Sequence, residues 1–442
     1  MVGTNSLRSI GLYLLLVYTV VDSYAMDYSY IVRFVDRYIG ACACFVLTVL
    51  HQFRRAPSDR KTKNVLVIEL VEMGASIMAY SSLRYIKREI PGAKIFVLCT
   101  ASTKEPWMLL EGISRENVFA LDNRSFSTLI ASIIRHVRIL SRKNIDLIID
   151  FELFTRVSAI IAFLIRAKRR AGFYGYTMGG LYRGNFLDVK CNFNQNMHIA
   201  KNLLALTKSA LDTHPRYYNW EGPIATSEII EPTYRSDPMI ASTVKRKLSA
   251  AIKDYAGEPL ILVAPTVGRM LPMRDYPKDR YAEVVQKLRL RYPKHFMVLV
   301  GTNEHKAVTG YICEKIRDEH CVDFAGSTAT LRELLELFLL GDVLISNDSG
   351  NPHFAAMTGL KTVAIYGPET PFMYGPLGKA VCLYDFFHSS PSITSYNHKN
   401  PPSDDTASLK SIHPDRVVAT VDLLMTNRAA YRTVNNQIPY LL

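Results

Sequence analysis

The chain has 442 residues, 48% of them hydrophobic and 21% charged, with a mean hydropathy of +0.05. That length accommodates two domains with separate cores, and the composition excludes a disordered or fibrous chain. Lys and Arg outnumber Asp and Glu by 13, which suits anionic ligands or an anionic membrane surface; no aromatic–basic interleaving or recognition-helix signature points to nucleic acid.

The N-terminus is apolar and then basic. Ile10 to Val21, "IGLYLLLVYTVV", is about a dozen apolar residues behind Arg8, short of the roughly 20 needed to span a bilayer and stopped by Asp22. It resembles the core of a signal peptide, although Met26 as the true start would remove it. A second stretch, Tyr38 to Leu50, follows Arg33 and Arg37 and precedes Arg54, Arg55, Arg60, Lys61 and Lys63. Half-length apolar segments edged with Tyr and Arg suit a helix lying in or dipping into the interface, so membrane attachment is preferred to a signal peptide. A second basic block, Arg166, Lys168, Arg169 and Arg170, reads equally as an anion- or membrane-facing patch and as a solvated face.

From Asn64 the pattern becomes regular. "NVLVIEL" (64–70) is a continuous apolar strand, followed by a Gly-containing turn and "SIMAYSSLRYIKRE" at helical spacing. "AKIFVLCT" (93–100) and "VFAL" (118–121) are strands; a helical stretch from Phe126 to Leu140 leads into "IDLIIDF" (145–151). Apolar strands alternating with helices predict parallel βαβ units covered on both faces. The rhythm fades between about Asp212 and Gly257, then restarts with "PLILVAPT" (259–266), a helix over 278–291 and "FMVLVG" (296–301). A helix near 305–318, "VDFAG", a helix over 330–340, "DVLISN", a helix over 352–358 and "TVAIYG" follow. Residues 388–411 read as an exposed loop and "HPDRVVATVDLLM" (413–425) as a capped amphipathic helix. The expected division is a membrane-associating segment (1–60), two Rossmann-like α/β domains (61–235 and 236–412), and a C-terminal helix and tail (413–442). Two such halves place a ligand cleft between the carboxyl ends of their sheets.

The chemistry concentrates in "SNDSGNPHFAAMTGLKTVAIYGPETP", Ser346 to Pro371. A strand-to-helix turn presents free backbone N–H groups and the positive end of the helix dipole, an anion site. Ser349 adds a hydroxyl, Gly350 lets a phosphate approach the backbone, and His353 lies in the first helical turn. Asp348 is placed to orient Ser349 or accept from a sugar hydroxyl. A structural alternative makes Asp348 the helix cap and His353 a packed core residue. No Asp-x-Asp pair is found, which favours a diphosphate held without metal, and no cofactor beyond a nucleotide-sugar substrate is expected. Seven scattered cysteines with no CxxC pair favour a reducing compartment over a disulfide framework or a zinc site.

The stretch resembles glycosyltransferase family 9, the ADP-heptose:lipopolysaccharide heptosyltransferase family, whose members show D-[ST]-G-x-x-H-x-A-A and then G-P-T-x-P. Asp348, Ser349, Gly350, His353, Ala355, Ala356, Gly367, Pro368 and Pro371 match. Weaker likenesses run in order through 64–98, 145–173, 196–206 and 264–285, so the resemblance covers most of residues 36–425. It implies a GT-B fold and an inverting transfer from a nucleotide-sugar, with the donor mainly on the C-terminal half. At matching positions Thr266 would contact the phosphates, and Arg274 would replace a phosphate-binding lysine, adding a bidentate fork. Ser349, Gly350 and His353 would complete the diphosphate cradle, and Glu304 lies near the family's acidic residue for the ribose.

One departure carries weight. The family's first turn is Gly-Asp, and that Asp is its base, but here the turn is Glu72-Met73-Gly74-Ala75. A methyl group takes no proton, so Glu72, three residues upstream, or Glu152, just past the strand ending at Asp150, is the candidate base. The expected function is a glycosyltransferase at the cytoplasmic face of the inner membrane, acting on a lipid-linked or polysaccharide acceptor. The rivals are a catalytically inactive nucleotide-sugar-binding scaffold or sensor, and an epimerase of the same fold.

Overall fold

The computed structural model describes residues 28–53, 62–153, 155–174, 182–212, 222–267, 272–389 and 407–426. The expected apolar stretch at Ile10–Val21 and most of the first basic cluster lie outside them. The chain divides into two compact units. The first comprises Met1–Ser76, Ser82–Phe193 and Asn202–Pro223; the second comprises Ile77–Ser81, Asn194–Lys201 and Ile224–Leu442.

The first unit is built on a parallel sheet of β1 (Asn64–Ile68), β2 (Lys94–Thr100), β3 (Val118–Leu121), β4 (Ile145–Asp150), β5 (Ala167–Phe173) and β6 (Val189–Cys191). The strand order is β3-β2-β1-β4-β5-β6. Because helices cover both faces, the central strands are apolar at consecutive positions, and Val65 to Ile68 are all buried. Leu66, Ile68, Phe96, Leu98 and Ile148 form one layer of the core with Ile161 and Ile165.

The second unit repeats the plan. Its strands are β7 (Leu260–Ala264), β8 (Phe296–Leu299), β9 (Cys321–Asp323), β10 (Gly341–Asn347), β11 (Lys361–Ile365) and β12 (Ala380–Leu383), in the order β12-β11-β10-β7-β8-β9. Read from the far edge, that is the same order as in the first sheet, all parallel. Helices Lys278–Arg291, Lys306–Ile316 and Pro414–Met425 close one face over Ile261, Val263, Val343 and Ile345. In such sheets the order reverses beside the first strand, here between β1 and β4 and between β7 and β10. Chains leaving the strand ends diverge there and open a crevice at the carboxyl edge.

Sequence reading missed β5, and the reason corrects the reading of the second basic block. "AKRRAGF" looks like a charged surface, yet its cations are spent inside the unit. Arg170, 2% exposed, donates to the carbonyls of Ala162 (2.6 Å), Phe163 (3.2 Å) and Ile165 (2.9 Å), where helix Arg156–Leu164 ends. Arg169 donates to the carbonyls of Ala210 and Asp212 at the end of helix Ile199–Leu211. Both cations therefore satisfy orphan carbonyls at a helix terminus of matching polarity. Lys168 pairs with Asp146. The second expected half-length apolar segment is also longer than its hydrophobicity suggested: Tyr28–Phe34, a π-helical turn Val35–Ile39 and Gly40–His51 run on as one helix.

Candidate functional site

In the second unit, the residues singled out beforehand gather at the switch point. β10 ends at Asn347, and the Asp348 N–H extends the pairing to the Ile365 carbonyl at 2.8 Å. Ser349, not Asp348, caps the helix Gly350–Thr358: its hydroxyl accepts from the Asn351 N–H at 3.3 Å and lies 3.3 Å from Ser346 Oγ. Asp348 turns instead to Arg274, whose Nε lies 3.3 Å from Asp348 Oδ2. Nη2 of the same guanidinium pairs with Glu369. Asp348 and Glu369 are 3% and 2% exposed, so the arginine bridges two buried carboxylates, a geometry that the planar fork suits and an ammonium does not.

Asn347 holds the loop that carries Thr266 and Arg274 against this turn. Its side chain accepts from the Tyr276 N–H (3.2 Å) and the Tyr281 hydroxyl (2.8 Å) and donates to the Pro265 carbonyl (3.0 Å). Asp275 ties the loop from within, accepting from the Val267 N–H (2.7 Å) and Thr266 Oγ1 (3.4 Å).

His353 is buried in the first turn of the same helix, and its Nδ1 has no hydrogen-bond partner among the described residues. Burial first, then the nearby His198 and Arg274, pushes its pKa down to about 3, so the ring is neutral at physiological pH. His198, itself pushed down to about 4 chiefly by burial, donates Nε2–H to the Gly375 carbonyl at 2.8 Å and accepts the Ala200 N–H at 3.2 Å. Its two bonds fix one tautomer, whereas His353 keeps a ring nitrogen available. Gly350 has a packing reason of its own: a Cβ there would stand 3.0 Å from the Phe354 ring. Glu304 is exposed in the βα turn after β8, the next strand outward from β7.

The first unit has its own cluster at the corresponding point. Glu69 follows β1 and Glu152 follows β4, and both are buried. Glu152 Oε1 accepts from the backbone N–H groups of Leu70 (2.6 Å) and Val71 (2.9 Å), so it braces the turn that leads to Glu72. The Glu69 carboxyl hydrogen-bonds the Glu152 carboxyl, and burial followed by the charges of Glu152 and Glu72 holds it well above the usual carboxylate range. Burial and its two acidic neighbours thus favour the protonated form of Glu69. Glu152 is pushed up to about 7, by burial first, against the two amides that stabilise its charge. Glu72 is half-buried, and its N–H donates to Glu69 Oε1 at 3.4 Å. Ala75 is buried in the helix Met73–Met78.

Thus Thr266, Arg274, Asp348, Ser349, Gly350 and His353 share one turn cluster in the second unit, with Glu304 one turn away. Glu72 and Glu152 share another cluster in the first unit. Sequence reading missed Glu69 and Glu369. Glu369 carries a signal in hindsight: it stands where the family's G-P-T-x-P has Thr, and an acid at the end of an apolar strand needs a partner. Glu69 lies inside "NVLVIEL", a run that reads simply as a continuous apolar strand.

A model of glycosyltransferase family 9 (heptosyltransferase) matches residues 133–394. Lipooligosaccharide heptosyltransferase 2 of Haemophilus influenzae is 25% identical over 152 residues, 34% of this chain and 43% of that protein, so the match spans less than half of that relative. Among solved structures, the E. coli ADP-heptose lipopolysaccharide heptosyltransferase II superposes with a TM-score of 0.63 at 19% identity, covering 83% of this chain and 99% of that one. A family 9 glycosyltransferase from Veillonella parvula gives 0.63 at 17% identity over 84% and 99%. The E. coli heptosyltransferase WaaC with ADP gives 0.55 at 17% over 82% and 99%. At these identities the structures speak for the fold, which is GT-B.

Proposed function

This chain belongs to glycosyltransferase family 9, and from that premise we propose that it transfers a sugar with inversion from a nucleotide-diphosphate-sugar, without metal, to a hydroxyl of a glycolipid or polysaccharide acceptor. The observation that carries the reading is the second unit's turn cluster. The amide groups opening helix 350–358, the Ser349 hydroxyl, the Arg274 guanidinium and a buried neutral His353 with an unbonded nitrogen converge on it. Such donors match a diphosphate whose charge grows as the glycosidic bond breaks. Thr266 adds a second hydroxyl beside them. Asp348 and Glu369, acceptors only, suit the sugar or ribose hydroxyls and hold Arg274 in place meanwhile. Glu304 is assigned to the ribose.

With Ala75 at the family's base position, the proton falls to Glu72. It is the half-exposed carboxyl of the first-unit cluster, whereas Glu152 is committed to two backbone amides. The buried Glu69–Glu152 pair braces the turn beneath it. Attachment to the cytoplasmic face of the inner membrane would present a lipid-linked acceptor to this base.

The test uses the full chain and a panel of nucleotide-sugars, ADP-linked heptose among them. Hydrolysis or transfer is expected, falling about 100-fold or more in His353→Ala, the scale of losing one preorganised donor to a developing charge. Turnover unchanged by that substitution removes the site assignment. Tight nucleotide-sugar binding with no turnover on any acceptor would instead establish a binding scaffold, the reading that Ala75 favours.

A further inference from the structure

The helix before the first sheet is fastened to its unit along one side only. Asp36 Oδ1 accepts the N–H groups of Arg156 (2.8 Å) and Val157 (2.9 Å), capping helix Arg156–Leu164 in place of Thr155, whose own side chain makes no cap. Gly40 comes so close to the same helix that a Cβ would lie 3.1 Å from Arg156 Cβ. Cys44 is buried with Ala159 and Phe186. Thr48 Oγ1 accepts the Asn185 N–H at 2.8 Å and lies 3.1 Å from the Tyr182 hydroxyl. Positions 36, 40, 44 and 48 form one i,i+4 stripe, so the attachment covers about 18 Å of helix at 1.5 Å per residue.

The other side is apolar and open. Phe34, Tyr38, Phe45, Val46, Val49, Leu50 and Phe53 are exposed, Phe45 at 62% and Phe53 at 82%, and Cys42 is exposed among them. They recur at three- and four-residue spacing with no charge on the stripe. Arg33 and Arg37 stand beside it, and Arg54, Arg55, Arg60, Lys61 and Lys63 follow in the sequence. Ile31–His51 is long and apolar enough to cross a bilayer by length and composition. Crossing would require the polar α/β unit held at 36–48 to enter a hydrocarbon core about 30 Å thick, or the helix to leave it.

We propose that this helix lies flat in the surface of an anionic bilayer, its outward stripe among the acyl chains and its inward stripe still fastened to the first unit. The occupant is lipid because charge and shape agree: a large apolar face flanked by Arg33 and Arg37 and followed by a predominantly basic stretch is what an anionic membrane interface takes up, to a depth of about 5–10 Å. The inference rests on the membrane-attached reading above but fixes the mode of attachment.

Cys42 supplies the test. It is the only exposed cysteine of the seven and lies close to the midpoint of Ile31–His51, so a spanning helix would carry it to the bilayer centre and a flat one would keep it shallow. The full chain, labelled there with a polarity-sensitive fluorophore and with Cys42→Ser as the blank, is mixed with phosphatidylcholine vesicles with and without phosphatidylglycerol. A blue shift strongest with phosphatidylglycerol, quenched more by a spin label near the headgroup than by one near the chain ends, is the expected result. The double substitution Phe45→Glu and Val49→Glu should lower vesicle binding at least about tenfold while nucleotide-sugar binding in solution stays unchanged. Stronger quenching by the deep label, no spectral change with either vesicle, or a lipid-independent shift that follows protein concentration and marks self-association would each overturn the proposal. Failure to bind any nucleotide-sugar would strike the glycosyltransferase reading and leave this one standing.

Discussion

Glu152→Gln separates the bracing role assigned to Glu152 from the catalytic one. The wild-type carboxyl moves from an ordinary value of 4.5 to about 7 on folding, worth about 3 kcal/mol at about 1.36 kcal/mol per tenfold change in proton affinity. The folded state binds the proton more tightly, so this contribution is complete below about pH 4.5 and is lost as the pH rises through about 7. Most of it survives at about pH 5 and almost none at about pH 8.5. Glutamine is neutral throughout, and its oxygen can still accept from Leu70 and Val71. Urea unfolding of both proteins at the two pH values should therefore show the variant gaining about 2–3 kcal/mol relative to wild type on going from the acid to the alkaline condition. Transfer activity should be retained, because the turn beneath Glu72 keeps its support. A stability difference that does not change with pH refutes the electrostatic argument. Activity abolished in a variant that remains folded makes Glu152 the base.

Two further substitutions probe the carboxylate and arginine clusters. Glu72→Gln should leave nucleotide-sugar affinity within about twofold while lowering kcat by about 100-fold or more, the scale of a missing general base; steady-state kinetics with unaltered kcat would remove Glu72 from that role. Arg274→Met leaves Asp348 and Glu369 buried without their cation and should cost about 3–5 kcal/mol in denaturant unfolding, with Arg274→Lys in between because an ammonium cannot bridge two carboxylates in one plane. Equal stability of Arg274→Met and wild type would show that the bridge contributes nothing.

Much of this protein was legible locally. Long apolar runs such as Val65–Ile68 and Val343–Ile345 announce strands covered on both faces, and helices between them dictate parallel sheets. The turn from Asp348 to His353 fits within six residues, so its residue types and spacing could be read together. Where charge accompanied structure, local reading failed: β5 was hidden because its arginines cap the ends of the helix just before it and of the distant helix Ile199–Leu211.

The alternation of central strands and helices, the residue types of the turn from Asp348 to His353 and the absence of an acid at position 75 were thus set out by the sequence, because each is expressed over a few neighbouring residues. Tertiary structure alone decided which charges meet. Glu369 reaches Arg274, Glu69 is buried beside Glu152, and Asp36 caps a helix that begins at Arg156. Electrostatic energies and proton affinities depend on distance and burial in space, and neither is written in the spacing along the chain.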